Sequence, residues 1–142
     1  MMAADAAARA LARRLLAHEA AGEGTALQMA EAAERVCCKL GERLAVLIGD
    51  EGVAALLRRA LHLAQLHYPF LASVEVARRS RCPLKGLAES VQGRTDPEVT
   101  AGLEALVANL VFLLVTFIGK DLTYQQVNVI WPALPHGQEA QA

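Results

Sequence analysis

Leu103-Glu104-Ala105-Leu106-Val107-Ala108-Asn109-Leu110-Val111-Phe112-Leu113-Leu114-Val115-Thr116-Phe117-Ile118 is a nearly unbroken apolar run, and its reading decides the fold. Gly93-Arg94-Thr95-Asp96-Pro97 interrupts the chain before it, with Asp96 expected as a cap and Pro97 in the first turn. Gly119 ends it. A helix over 97–118 that is apolar on every side from Leu106 onward is either the buried centre of a bundle or a membrane span. Its uninterrupted part is shorter than the ~20 residues a span needs. It also contains Asn109, and a span usually carries flanking aromatic or basic anchors. The buried central helix is therefore the expectation, and no membrane partner is expected.

Outward from this run the chain reads as helix throughout. Residues 3–21 form a first helix, with Asp5, Arg9 and Arg13 on one i, i+4 row and Leu11 and Leu15 on an apolar stripe. Thr25 opens a second, with Gln28 completing a capping-box pattern. Met29, Ala33, Val36, Leu40, Leu44 and Leu47 carry its apolar stripe to a stop at Gly49. A third helix over 51–67, capped by Asp50, turns Val53, Leu56, Leu57, Ala60, Leu61 and Ala64 inward and ends before Pro69. Residues 70–82 read as a loop or a frayed turn, and Pro83 opens a short fourth helix to about Gln92. Asp121 caps a last helix that runs to Trp131, where Pro132 stops it.

The predicted fold class is all-α, a single-domain bundle of five or six helices over 1–134, with a disordered tail at 135–142. Helices joined by turns of two or three residues fold back antiparallel. Leu44-Ala45-Val46-Leu47-Ile48-Gly49-Asp50 and Leu114-Val115-Thr116-Phe117-Ile118-Gly119-Lys120-Asp121 look alike. Duplication of a helical hairpin is one account of the match. Convergent helix punctuation is the other, since glycine followed by an acidic cap is how many helices stop and restart.

With 54% hydrophobic and 20% charged residues, the chain is too apolar for a disordered protein, and 4% aromatics make its core aliphatic. A net charge of −1 gives no electrostatic case for nucleic acid. Cys37, Cys38 and Cys82, an odd number with no secretory h-region at the N-terminus, read as reduced cytoplasmic thiols. Their spacing from His62 and His67 fits no zinc pattern, and no nucleophile elbow or phosphate loop is present. No cofactor, metal or catalytic residue is expected.

Phe117-Ile118-Gly119-Lys120-Asp121-Leu122-Thr123, followed by Trp131-Pro132, resembles the C-terminal end of small uncharacterised all-helical bacterial proteins and domains, some of which occur alongside signalling proteins. Lys120 stands where that pattern has an acidic residue. The resemblance covers about the last third of the chain. It implies a bacterial, cytosolic, regulatory protein and carries over no active site.

Two groups of residues are candidates for function. Arg78, Arg79, Arg81 and Lys85 form a local basic cluster that could contact an anion, or simply be solvated. Asn109, Phe112, Thr116 and Trp131 are candidates for a pocket or an interface. Asn109 and Thr116, seven apart, share a helix face; Thr116 can bond the carbonyl four residues back, whereas Asn109 needs a partner elsewhere. An Asn109–Asn109′ pair across a two-fold axis would supply one. The expected function is a non-enzymatic regulatory or adaptor protein acting through helix–helix contact, as a homodimer. The alternative is a sensor binding an apolar small molecule between helices.

Overall fold

The computed structural model describes residues 6–21, 24–77, 84–132 and 134. The tail at 135–142 and the residues Arg78, Arg79, Arg81 and Cys82 lie outside these. The fold is all-α: helices α1 (Ala6–Ala20), α2 (Ala26–Gln65), α3 (Leu87–Ser90), α4 (Asp96–Ile118) and α5 (Lys120–Ile130), with a 3-10 turn at Pro69–Ser73. Two strands of two residues each, β1 (Glu75–Val76) and β2 (Leu84–Lys85), pair antiparallel. The fourth helix expected from Pro83 is thereby corrected to a single turn. Gly86, at φ 87, lies outside the helical region, and Leu84 and Lys85 are taken by the ladder.

α2 is one helix in hydrogen-bonded sequence but two in direction. Gly49 breaks it at φ 80, ψ 163, leaving a first arm at 26–48 and a second at 50–65. Gly119 separates α4 from α5 at φ 92, ψ 158. Both glycines occupy a region closed to residues with a Cβ. Gly119 is the C-cap of α4 and the N-cap of α5 at once, so no residue is left over to serve as a side-chain cap. Asp121 accordingly sits inside the first turn of α5, where its charge meets the helix dipole, rather than capping it.

The two halves of the chain repeat at a spacing of 70 positions. Thr25 and Thr95 cap the long helices, each accepting a bond from the backbone N–H three residues on, at Gln28 and Glu98. Both long helices run unbroken from their caps to Ile48-Gly49 and Ile118-Gly119. Met29, Ala32, Ala33, Val36, Cys37, Leu40 and Leu44 are buried. So are their equivalents Val99, Gly102, Leu103, Leu106, Val107, Leu110 and Leu114. Beyond the corners, Val53, Leu56, Leu57 and Leu61 are matched by buried Thr123, Gln126, Val127 and Trp131. The likeness of the corners thus extends along the core stripes of both hairpins, while positions beside the stripes differ, as at exposed Lys39 and buried Asn109.

The long helices lie side by side in the same direction. Asp96 Oδ1 accepts from the Ala26 N–H at 2.9 Å, which ties the two N-terminal ends together. Further along, Leu40, Leu44 and Leu110 line one small cavity. The second arm of α2 folds back to α4, where Asn109 Nδ2 donates to the Ala60 carbonyl. α5 folds back to the first arm of α2, where Arg43 Nε donates to Gln126 Oε1 at 2.6 Å. Each half thus lays its return helix on the other half's long helix. α1 lies across both long helices, with Arg13 on Glu104 and Glu19 on Arg35 and Lys39. On α4, Gly102 lets the chain after α2 approach closely, since a Cβ there would stand 2.6 Å from Phe70 Cζ.

Gly49→Ala and Gly119→Ala should each destabilise the protein by ~1–3 kcal/mol, the usual strain of forcing a side chain into this backbone region. Nothing lies within 4 Å of either added Cβ, so the loss comes from the backbone alone. Urea unfolding that leaves both variants as stable as the wild type would show that the corners do not hold this conformation.

Candidate functional site

The stripe that forms the seam between the halves does not stop where the bundle stops. Seven residues on a helix fall 20° short of two full turns, so Leu47 and Phe117 point as Leu40 and Leu110 do. Leu40 and Leu110 are buried, yet Leu47 is 46% exposed and Phe117 68%. Val46, beside them, is 80% exposed, and Ile48 and Ile118 are half-buried. Because the long helices run in parallel, both corners lie at one end of the bundle. There the last layer of the core seam opens to solvent. On α4 the apolar surface continues inward through half-buried Phe112 and Leu113, where the first arm of α2 carries exposed Glu42 and Arg43 instead. The rim of this end is charged: Asp50 and Glu51 follow one corner, Lys120 and Asp121 the other, all exposed.

Asn109, Phe112, Thr116 and Trp131 do not converge on a pocket. Asn109 is 6% exposed, and its amide finds its partner inside the chain, at Ala60 O, 3.3 Å away. This corrects the Asn109–Asn109′ pair, since the side chain is not at a surface. Thr116 is exposed and Phe112 half-buried. The Thr116 hydroxyl donates to the Phe112 carbonyl at 2.9 Å, the i−4 bond its position suggested. Trp131 is buried, and its Nε1–H donates to Glu19 Oε2 at 2.7 Å, on the α1 side of the bundle. Lys85, exposed on β2, is the one member of the basic cluster among the described residues.

Sequence reasoning passed over Glu19, which holds three elements together. Its side chain is 6% exposed and accepts from Arg35, Lys39 and Trp131, and its carbonyl accepts a further bond from Arg35. Burial pushes its carboxyl upward. The hydrogen bonds from Lys39, Trp131 and Arg35, with the charge of Lys39, outweigh that and bring it below the usual glutamate value. Its neighbours are donors that fix α1 and the end of α5, which is a structural role.

Cys37 is fully buried, and burial, with Cys38 and Glu34 nearby, pushes its thiol up to about 12. A thiol so held is a weak nucleophile. It lines a cavity of about 10 Å³ with Leu40, Gly41, Leu44 and Leu110 of the long helices, closed by the second arm of α2. Such a space is roughly one water in size, against ~300–1,000 Å³ for a ligand pocket. Among the described residues no group of three His, Cys, Asp or Glu side chains could hold a metal ion.

Glu19→Gln should destabilise the fold by ~1–3 kcal/mol, the range for hydrogen bonds to a charged group, toward the lower end because Arg35 and Lys39 are half-exposed. Because the folded carboxyl is held below 4.5, its contribution is fully present above that pH. It disappears as pH falls from there through the folded value. The wild type should therefore lose stability faster than the variant on acidification; parallel loss in pH-dependent urea titrations would remove this role from Glu19. In native thiol labelling, Cys37 should react only after unfolding, with half-buried Cys38 ahead of it; equal native rates would mean the first arm of α2 is not packed as described.

No protein-family model, no curated protein and no solved structure matches this chain. The functional reading accordingly rests on the residues themselves.

Proposed function

We propose that this protein is a non-enzymatic regulatory or adaptor module of the cytoplasm that works through helix–helix contact at the open end of its bundle. One observation carries the reading: the core stripe continues onto Leu47 and Phe117, and these side chains are left in water. Fully burying an aliphatic or aromatic side chain of this size is worth ~1.5–3 kcal/mol, so a contiguous uncovered layer is a ready source of binding energy. The half-buried Phe112 and Leu113 extend it along α4, on a side where the equivalent positions of the other half are charged. The reduced thiol of Cys37 suits a reducing compartment.

A sensor for an apolar small molecule is less well supported: among the described residues, the cavity beside Cys37 has a volume of about 10 Å³. A membrane-spanning role for α4 is the other competing reading. α4 is long and apolar enough to cross a membrane by length and composition, but half of its most apolar window is buried against the rest of the fold. A span is expected to face lipid instead.

The test is site-specific photo-crosslinking in cells. A photoreactive side chain at position 117 should give discrete protein adducts, while the same group at Leu66, equally apolar and exposed at the C-cap of α2, should give background. Phe117→Ser should abolish the complex while shifting the folding stability by about 0.5 kcal/mol or less, as expected of an exposed position. Equal background from both positions would sink the proposal.

A further inference from the structure

The open end has two corners of the same backbone shape and different charge. Asp50 and Glu51 give the Gly49 corner two negative charges, whereas Lys120 and Asp121 leave the Gly119 corner neutral with a cation leading. The apolar residues differ in the same way, since Leu47 on one long helix is equivalent to Phe117 on the other. Building on the interaction reading above, we propose that the occupant of this end is a second copy of the chain. It docks end to end about a two-fold axis perpendicular to the long helices, so that the Gly49 corner of each copy meets the Gly119 corner of the other.

Charge selects this arrangement. Crossing the corners sets Asp50 against Lys120 of the second copy twice, once on each side of the axis. The alternative two-fold sets Asp50 and Glu51 of both copies together, four carboxylates at one point. Size agrees: crossing lays the large Phe117 over the smaller Leu47, where the alternative stacks large on large. Continuity agrees too, because the second copy would place its own last core layer on this one. The same rim disfavours an anionic lipid surface, since Asp50, Glu51 and Asp121 outnumber Lys120. The contact is confined to one end, so the dimer is expected to be weak and reversible.

Sedimentation of the full-length chain across the micromolar range tests this, with circular dichroism checking that each variant is folded. The wild type should show a monomer–dimer equilibrium. K120D, which makes both corners doubly negative, should weaken it by roughly tenfold at low salt. D50K/K120D, which exchanges the leading charges, should recover it, and Phe117→Ser should be monomeric. A wild-type monomer throughout, or a dimer indifferent to K120D and Phe117→Ser, overturns the proposal. If that monomer still gives adducts from position 117 with another protein, the interaction reading stands with a different occupant. If instead it binds phosphatidylcholine vesicles through Phe117, a membrane surface is the occupant; with neither, both readings fall.

Discussion

The parallel seam between the first arm of α2 and α4 is the contact on which the rest of the structure depends. Two parallel helices side by side bring two positive dipole ends together and leave two sets of unpaired N–H groups at one end of the molecule. Asp96 answers both difficulties. It sits in the first turn of α4, and its carboxylate accepts the N–H of Ala26, the first residue of α2. One negative charge thereby serves two N-termini. In the register that this bond marks, Leu40 and Leu110 line the same space.

Everything else follows from turning the chain at the far end of that seam. Gly49 and Gly119 reverse direction with a single residue each, so the return helices start at once and lie against the long helices. Each return helix reaches across to the other half, through Ala60 and Asn109 on one side and Gln126 and Arg43 on the other. A pair of hairpins exchanging arms in this way is what a dimer of half-chains would look like if joined into one polypeptide. The interface such a dimer would use is therefore already filled within the chain, by Leu106, Leu110 and Leu114 from one half and Val36, Leu40 and Leu44 from the other. This is why Asn109 is satisfied inside. It is also why any association between copies has to use a different surface.

The two halves are alike in their cores and unlike at their surfaces. Lys39, exposed and bound to Glu19, corresponds to buried Asn109; Glu42 and Arg43 correspond to Phe112 and Leu113. The half that contains α1 uses its charges to hold α1 and Trp131 in place. The half that contains α4 lacks those charges and leaves apolar side chains partly uncovered. A symmetric framework with one polar flank and one apolar flank is suited to presenting a surface, and the apolar flank ends at Phe117.

The sequence by itself determined the long helices and the glycines that stop them, while Asp50, Asp96 and Asp121, expected as caps, lie inside the first turns that follow Gly49, Thr95 and Gly119. Thr25 with Gln28, the stops at Gly49 and Gly119, and the inward stripe from Val53 to Ala64 are all legible because hydrogen bonding and side-chain spacing within a helix are local. The short helix expected from Pro83 shrinks to Leu87–Ser90 because a strand pairing between residues 75–76 and 84–85 competes with local propensity, and pairing is not a local property. Leu47 reads as one more member of a buried stripe, and Thr116 as a companion of Asn109. Only the tertiary structure decided that Leu47 and Thr116 are exposed while Asn109 is buried. Periodicity fixes which way a side chain points; what covers it depends on contacts with residues far away in sequence. The bonds from Glu19 to Trp131 and from Asp96 to Ala26 span 112 and 70 positions, and no period of 3.6 residues carries that information.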